Sequence, residues 1–236
     1  MIFSKDHKVD PWHEKYGQRL IALKHWRDHP KYDDIEMYND IAIVTLRSEI
    51  NYPGSISDFN SDDYKTLVRP ICLPSREYED SVLRDYHING AEPPLQCVVS
   101  GYGDTEDYSI SDHLSKTEKK ESRTRSMLSK PFLQYVDLPL VTDSHCKEFW
   151  DDLQPTQICS YYKDHKQDAC QGDSGGPMAC NSGRGDMQHA LVGVTSFGNG
   201  CGKNWPGVYT RISSYLDWIR THAGEVQILD GEGEVM

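Results

Sequence analysis

The apolar positions of this chain fall into short runs rather than long amphipathic stretches. "QRLIALKHW", "DIAIVTL", "QCVVSGY", "FLQYVDLPLV", "HALVGVTSF" and "GVYTRI" are rich in Val, Ile, Leu, Thr and Tyr and are bounded by Gly, Pro, Asn or Asp, which predicts the strands of an all-β fold. Helix is predicted in two places. "TDSHCKEFW" opens on candidate N-caps, and "SSYLDWIRTHAG" places Tyr215, Leu216, Trp218 and Ile219 on about one face before stopping at Gly224. The final helix is expected to pack Trp218 onto the body. After it, "EVQILDGEGEVM" has four acidic side chains and no basic one, so 223–236 reads as a solvated acidic tail.

Long polar loops separate the strands: "SEINYPGSISDFNSDDYKT", "SREYEDSVLRDYHINGAEPP" and "DTEDYSISDHLSKTEKKESRTRSMLSK". The third sets Lys116, Lys119, Lys120, Arg123, Arg125 and Lys130 against Glu118 and Glu121. It reads as a solvated loop, with a basic exosite or a nicking site as the sharper alternative. No internal repeat of fixed period is present.

Composition narrows the possibilities. A chain of 236 residues, 37% of them apolar, suits one large or two small domains. The formal net charge of -12 argues against a non-specific grip on nucleic acid or anionic lipid. No apolar run approaches the roughly 18 residues of a membrane-spanning helix, and "MIFSKDHKVDPW" lacks the apolar core of a secretory leader. The seven cysteines, Cys72, Cys97, Cys146, Cys159, Cys170, Cys180 and Cys201, are not spaced as a zinc ribbon. Six of them suit three bridges in an oxidising compartment, with Cys72 left over. That conflicts with the missing leader: either the start of the precursor lies outside this sequence, which is the favoured reading, or these cysteines stay reduced.

The chemistry concentrates in "QDACQGDSGGPMAC", residues 167–180. "GDSGG" fits G-x-S-x-G, but the hydrolase elbow of that form needs a helix directly after the serine. Here Pro177, Cys180, Gly183 and Gly185 follow. Taken alone, the pentapeptide is also a common turn.

Context decides between them. "DACQGDSGGP", followed by "VTSFGNGCG" and "WPGVYTRI" and preceded by "YNDIAIVTL", "VRPICLP" and "CVVSGYG", closely resembles the trypsin-like (chymotrypsin-family) serine proteases, in family order from about residue 17 to 222. The resemblance implies two antiparallel six-stranded β-barrels with a C-terminal α-helix, the first barrel incomplete: 1–92 the remainder of the first, 93–222 the second barrel and helix. It implies Ser174 as nucleophile, the N–H groups of Gly172 and Ser174 as the oxyanion hole, and Asp40 as the triad carboxylate. Asp168 matches the floor of the pocket for the side chain preceding the cut, which implies cleavage after Arg or Lys, with Ala169 beside it tilting the preference to Arg. Ser196, Phe197, Gly198 and Gly207 match the substrate-binding strand and pocket walls, with Phe197 in place of the more usual tryptophan. Asp173 matches the activation switch that pairs with a new α-amino group. The family pattern pairs Cys97 with Cys180, Cys146 with Cys159 and Cys170 with Cys201, and gives Cys72 a partner in an upstream segment.

Two family features are missing. None of the ten histidines lies in an "AAHC"-type block, and no "IVGG"-like start exists. The base is expected upstream of Met1, and the chain alone is expected to be nearly inert, because loss of a triad member costs about 10⁴–10⁶ in rate. The expected whole is a secreted trypsin-like endopeptidase without cofactor, acting on protein substrates and open to protease inhibitors. A non-catalytic homologue that binds a protein partner and a truncated product that never folds stably are the alternatives. "DPWHEKYGQRL" has too few spaced carboxylates to imply a calcium loop.

Overall fold

The computed structural model describes residues 2–4, 20–50, 70–84, 97–104, 133–163, 167–181, 189–230 and 234–235. The chain divides into two compact units, Met1–Arg27 with Ala42–Ile71, and Asp28–Ile41 with Cys72–Met236. The basic loop 116–130 lies outside the described residues, as do most of "SEINYPGSISDFNSDDYKT" and "DPWHEKYGQRL".

In the first unit, β1 (Ile2–Ser4), β2 (Leu20–Asp28) and β3 (Ala42–Leu46) form one sheet in that order, with β1 parallel to β2. Arg47 links β3 back to β2 through its backbone N–H on the Ala22 carbonyl, at 2.9 Å, and its Nε on the Leu23 carbonyl, at 3.0 Å.

The second unit is built on β5 (Cys97–Gly101), β6 (Gln134–Leu138), β7 (Leu140–Val141), β8 (Gln157–Ser160), β9 (Pro177–Asn181), β10 (His189–Phe197) and β11 (Gly207–Arg211), in the order β6-β5-β9-β10-β11-β8-β7. Neighbouring strands are antiparallel throughout. The two edge strands, β6 and β7, are consecutive and separated only by Pro139. Proline removes a ladder donor at that point, while its carbonyl accepts from Ser160 Oγ at 2.9 Å. Because β6 and β7 follow each other directly through Pro139, the seven strands form a nearly closed barrel. Its core joins Val99, Leu138, Ile158, Met178, Val192 and Tyr209, all almost fully buried.

Among the described residues, three helices flank this sheet: α1 (Arg76–Arg84), α2 (Asp143–Lys147) and α3 (Leu216–Ala223), the last entered through a 3₁₀ turn at Ile212–Tyr215. Thr142 caps α2 by accepting from the His145 N–H. Ile219 of α3 joins Ile212 and Tyr215 in a cluster that Trp218 packs against.

Two expectations are corrected. "SREYEDSVLR", read as loop, forms α1, because Ser75 Oγ accepts from the Tyr78 N–H at 3.1 Å and the helix buries Tyr78, Glu79, Ser81 and Val82 on one face. The acidic run after α3 is not wholly solvated. Ile228 and Leu229 form β12, parallel to β4 (Leu73–Pro74), and both are buried. Two apolar side chains inside an acidic run suffice to draw the backbone onto an open strand edge, where Leu73 N–H and Ser75 N–H each donate at 2.8 Å.

Candidate active site

The turn Gln171–Gly176 connects the loop after β8 to β9. It closes through Asp173 N–H on the Cys170 carbonyl at 3.0 Å and Gly176 N–H on the Asp173 carbonyl at 2.8 Å, while Gly175 N–H donates to Thr195 at 2.9 Å. Gly172 has φ 101° and Gly175 φ 78°, conformations a Cβ would oppose. The N–H groups of Gly172 and Ser174 donate to no backbone carbonyl among the described residues. They flank Asp173 as two uncommitted donors on one turn.

Ser174 stands at a cavity of about 180 Å³ lined also by Asp168, Ser196, Phe197, Gly198, Gly207 and Tyr209. Strands β10 and β11 supply one wall, and Cys170 and Cys201, joined by a disulfide, also line the cavity. Asp168 Oδ2 accepts from the Gly202 N–H at 3.3 Å. Burial pushes its carboxyl up to about 7, against the backbone hydrogen bonds from Gly202 and Ala169. A Cβ on Gly207 would come within 3.1 Å of Asp168 Oδ1, whereas one on Gly198 would meet nothing closer than 3.7 Å. Tyr209 is buried and its hydroxyl has no partner among the described residues. The residue lines the cavity without any signal in the sequence motifs.

Asp40 reaches the same wall. Its Oδ2 accepts from Ser196 Oγ at 2.6 Å, and its carbonyl accepts from Thr210 Oγ1 at 2.6 Å. The resemblance places Ser196 in the substrate-binding strand, and its hydroxyl ties that strand to Asp40. Nothing in the sequence signals a contact across 156 positions.

Asp173 points elsewhere. Its Oδ1 accepts from Gly103 N–H at 2.8 Å and its Oδ2 from Cys170 N–H at 2.9 Å, in a second cavity lined by Gly101, Gly103, Asp104 and Asp168. A Cβ on Gly101 would fall 1.9 Å from Asp173 Oδ1, so "SGYG" needs glycine there for the carboxylate to seat.

Among the described residues, no hydrogen bond of Ser174 or Asp40 goes to a histidine. His29 lies edge-on to Tyr215 and Trp218, at 5.4 and 5.1 Å between ring centroids, and burial lowers its pKa. His25 shares a hydrogen bond with Thr45 at 3.0 Å, and His222 with the Trp218 carbonyl at 2.7 Å. His145 lies 3.4 Å from Glu148. His7, His13, His87, His113 and His165 are outside the described residues. The remaining bridges are Cys97–Cys180, whose residues face each other across β5 and β9, and Cys146–Cys159, between α2 and β8. Cys72 is a free thiol.

No helix among the described residues is long and apolar enough to cross a membrane. The family model described as Trypsin matches residues 3–219. Trypsin II-P29 of Gallus gallus is 32% identical over 194 residues, 81% of this chain and 58% of that protein. Coagulation factor XII of Rattus norvegicus is 31% identical over 211 residues, 86% of this chain and 29% of that protein. The chain thus spans less than two thirds of the length of either relative. The glycine-flanked Ser174, the barrel that carries it and the match over nearly the whole chain agree: this protein belongs to the trypsin family of serine proteases.

Proposed function

We propose that this chain is the larger part of a secreted serine endopeptidase, made as a zymogen, that cleaves proteins after Arg in preference to Lys. The observation that carries this reading is a carboxylate, Asp168, in the cavity that opens past Ser174. A desolvated carboxylate favours a guanidinium or ammonium and penalises apolar side chains, which leave its charge unmatched. Ser174 Oγ attacks the scissile carbonyl as a histidine takes its proton; the Gly172 and Ser174 N–H groups stabilise the oxyanion. The protonated histidine then gives that proton to the leaving amine, and water releases the acyl group from Ser174 by the same route in reverse. Asp40 orients the histidine and stabilises its charged form.

We assign that base to a residue outside this sequence, since no histidine here occupies the family motif. On this reading Asp173 receives an α-amino group released by cleavage elsewhere in the precursor, and Cys72 bonds to an upstream segment. The absence of a histidine partner for Ser174 and Asp40 among the described residues also favours a second reading, a non-catalytic homologue that retains the pocket to bind protein.

The test is hydrolysis of acyl-arginine, acyl-phenylalanine and acyl-glutamate esters by residues 1–236, beside binding of tripeptides ending in the same residues. The proposal expects Arg-selective binding with no turnover above the Ser174→Ala control. Turnover that Ser174→Ala abolishes would refute the external base, and indifference to the terminal side chain would refute the specificity.

A further inference from the structure

We infer that Gln157 and Thr210 are positioning residues for Asp40, holding the segment that delivers it; this rests on the reading of Asp40 as the triad carboxylate. The segment Asp28–Ile41 belongs to the second unit although the chain on either side of it belongs to the first. Asp33 Oδ1 turns it by accepting from the Ile35 and Glu36 N–H groups at 2.9 and 3.1 Å. Near its end, Met37 has φ 52° and Asn39 φ 53°, a left-handed backbone that side chains with a Cβ seldom adopt. Two such residues within four positions of Asp40 persist only where surrounding groups hold them.

Gln157 and Thr210 are those groups. Gln157 and Thr210 face each other in register across β8 and β11, and both are almost fully buried. Gln157 Nε2 donates to the Met37 carbonyl at 3.3 Å and Thr210 Oγ1 to the Asp40 carbonyl at 2.6 Å. Tyr215 adds a third hold, its hydroxyl donating to Asn39 Oδ1 at 3.1 Å. The Gln157 amide has one orientation available, because its Oε1 already accepts from the Gln154 N–H at 2.9 Å. Its backbone is pinned as well, through Arg211 Nε on the Gln157 carbonyl at 3.0 Å. A pair of adjacent strands therefore grips the segment at two carbonyls, one of them Asp40's own, and so sets where the Asp40 carboxylate meets Ser196.

The experiment reads the carboxyl ¹³C resonance of Asp40 in residues 1–236, assigned through Asp40→Asn, with the Asp168 line as internal reference. This readout needs no catalysis, so its failure is distinct from failure of the protease reading. Gln157→Met and Thr210→Val are expected to shift or split the Asp40 line and leave the Asp168 line in place. Thr210→Ser, which keeps the hydroxyl, is expected to restore it. An Asp40 line unmoved in both variants, or moved as far by Thr210→Ser as by Thr210→Val, overturns the inference. If either variant fails to fold, the wild-type chain decides: the Thr210 hydroxyl proton is expected to resist exchange and show a nuclear Overhauser contact to the Asp40–Ile41 backbone, and free exchange of that proton overturns it.

Discussion

Asp168 carries its charge at a cost. A carboxyl titrating near 7 in the fold against about 3.9 in an open chain holds its proton more tightly when folded, so ionisation opposes folding. The penalty is absent below the unfolded value, grows as pH rises between the two, and is complete above about 7. Asp168→Asn is expected to melt with the parent at pH 3.5 and above it at pH 8; equal melting at both pH values would contradict this. Ligand binding shows the opposite sign, because an amidinium needs the ionised form. Affinity for benzamidine is expected to fall about tenfold per pH unit below pH 7, measured by titration calorimetry, and a flat profile would remove Asp168 from the contact. The glycines around the site divide by what a methyl would meet. Gly101→Ala is expected to unseat Asp173 and cost about 1–3 kcal/mol in denaturant titrations, since its Cβ would stand 1.9 Å from that carboxylate.

Elements were legible wherever period and caps agreed. The runs in β10 and β11 and the serine-led C-terminal helix could be read directly, because each pairs an apolar pattern with a boundary residue. Helix α1 was hidden by its charge: a helix that buries Glu79 looks like a polar loop until its partner is seen. That partner is Arg211, almost fully buried, whose guanidinium bonds Glu79 Oε1 at 2.5 Å and also Asp143, while Ser213 donates to Glu79 Oε2 at 2.6 Å. Burial pushes the Glu79 carboxyl up, and Arg211 and Ser213 work against that rise. Glu79→Ala leaves the buried Arg211 guanidinium only the partly exposed Asp143 as a carboxylate partner and is expected to cost about 1–3 kcal/mol, read from the urea midpoint; a loss below about 0.5 kcal/mol would mean Asp143 alone compensates Arg211. The short strand β12 was missed for a related reason, since Ile228 and Leu229 are too few to register as a pattern. Leu229→Ala is expected to cost about 2–5 kcal/mol, and a neutral result would mean the tail contributes no core.

At the scale of the molecule, the pocket could be read from local motifs whereas the placement of Asp40 could not. "DACQGDSGGP" encodes its turn through neighbours in sequence, whereas Asp40 depends on Ser196, Thr210, Gln157 and Tyr215, each more than a hundred positions away. The bridges stabilise that long-range frame unequally. Cys97–Cys180 closes 83 positions and Cys146–Cys159 closes 13, so chain entropy assigns them about 4–5 and about 3 kcal/mol. The proposed specificity needs one pocket, built within this chain, to receive an arginine beside Ser174. The measurement that tests it most directly is a crystal structure of residues 1–236 with a tripeptide ending in arginine. The guanidinium is expected against the Asp168 carboxylate, with the terminal carboxylate accepting from the Gly172 and Ser174 N–H groups. A peptide bound with its arginine outside this cavity, or with its carboxylate away from Ser174, would contradict it.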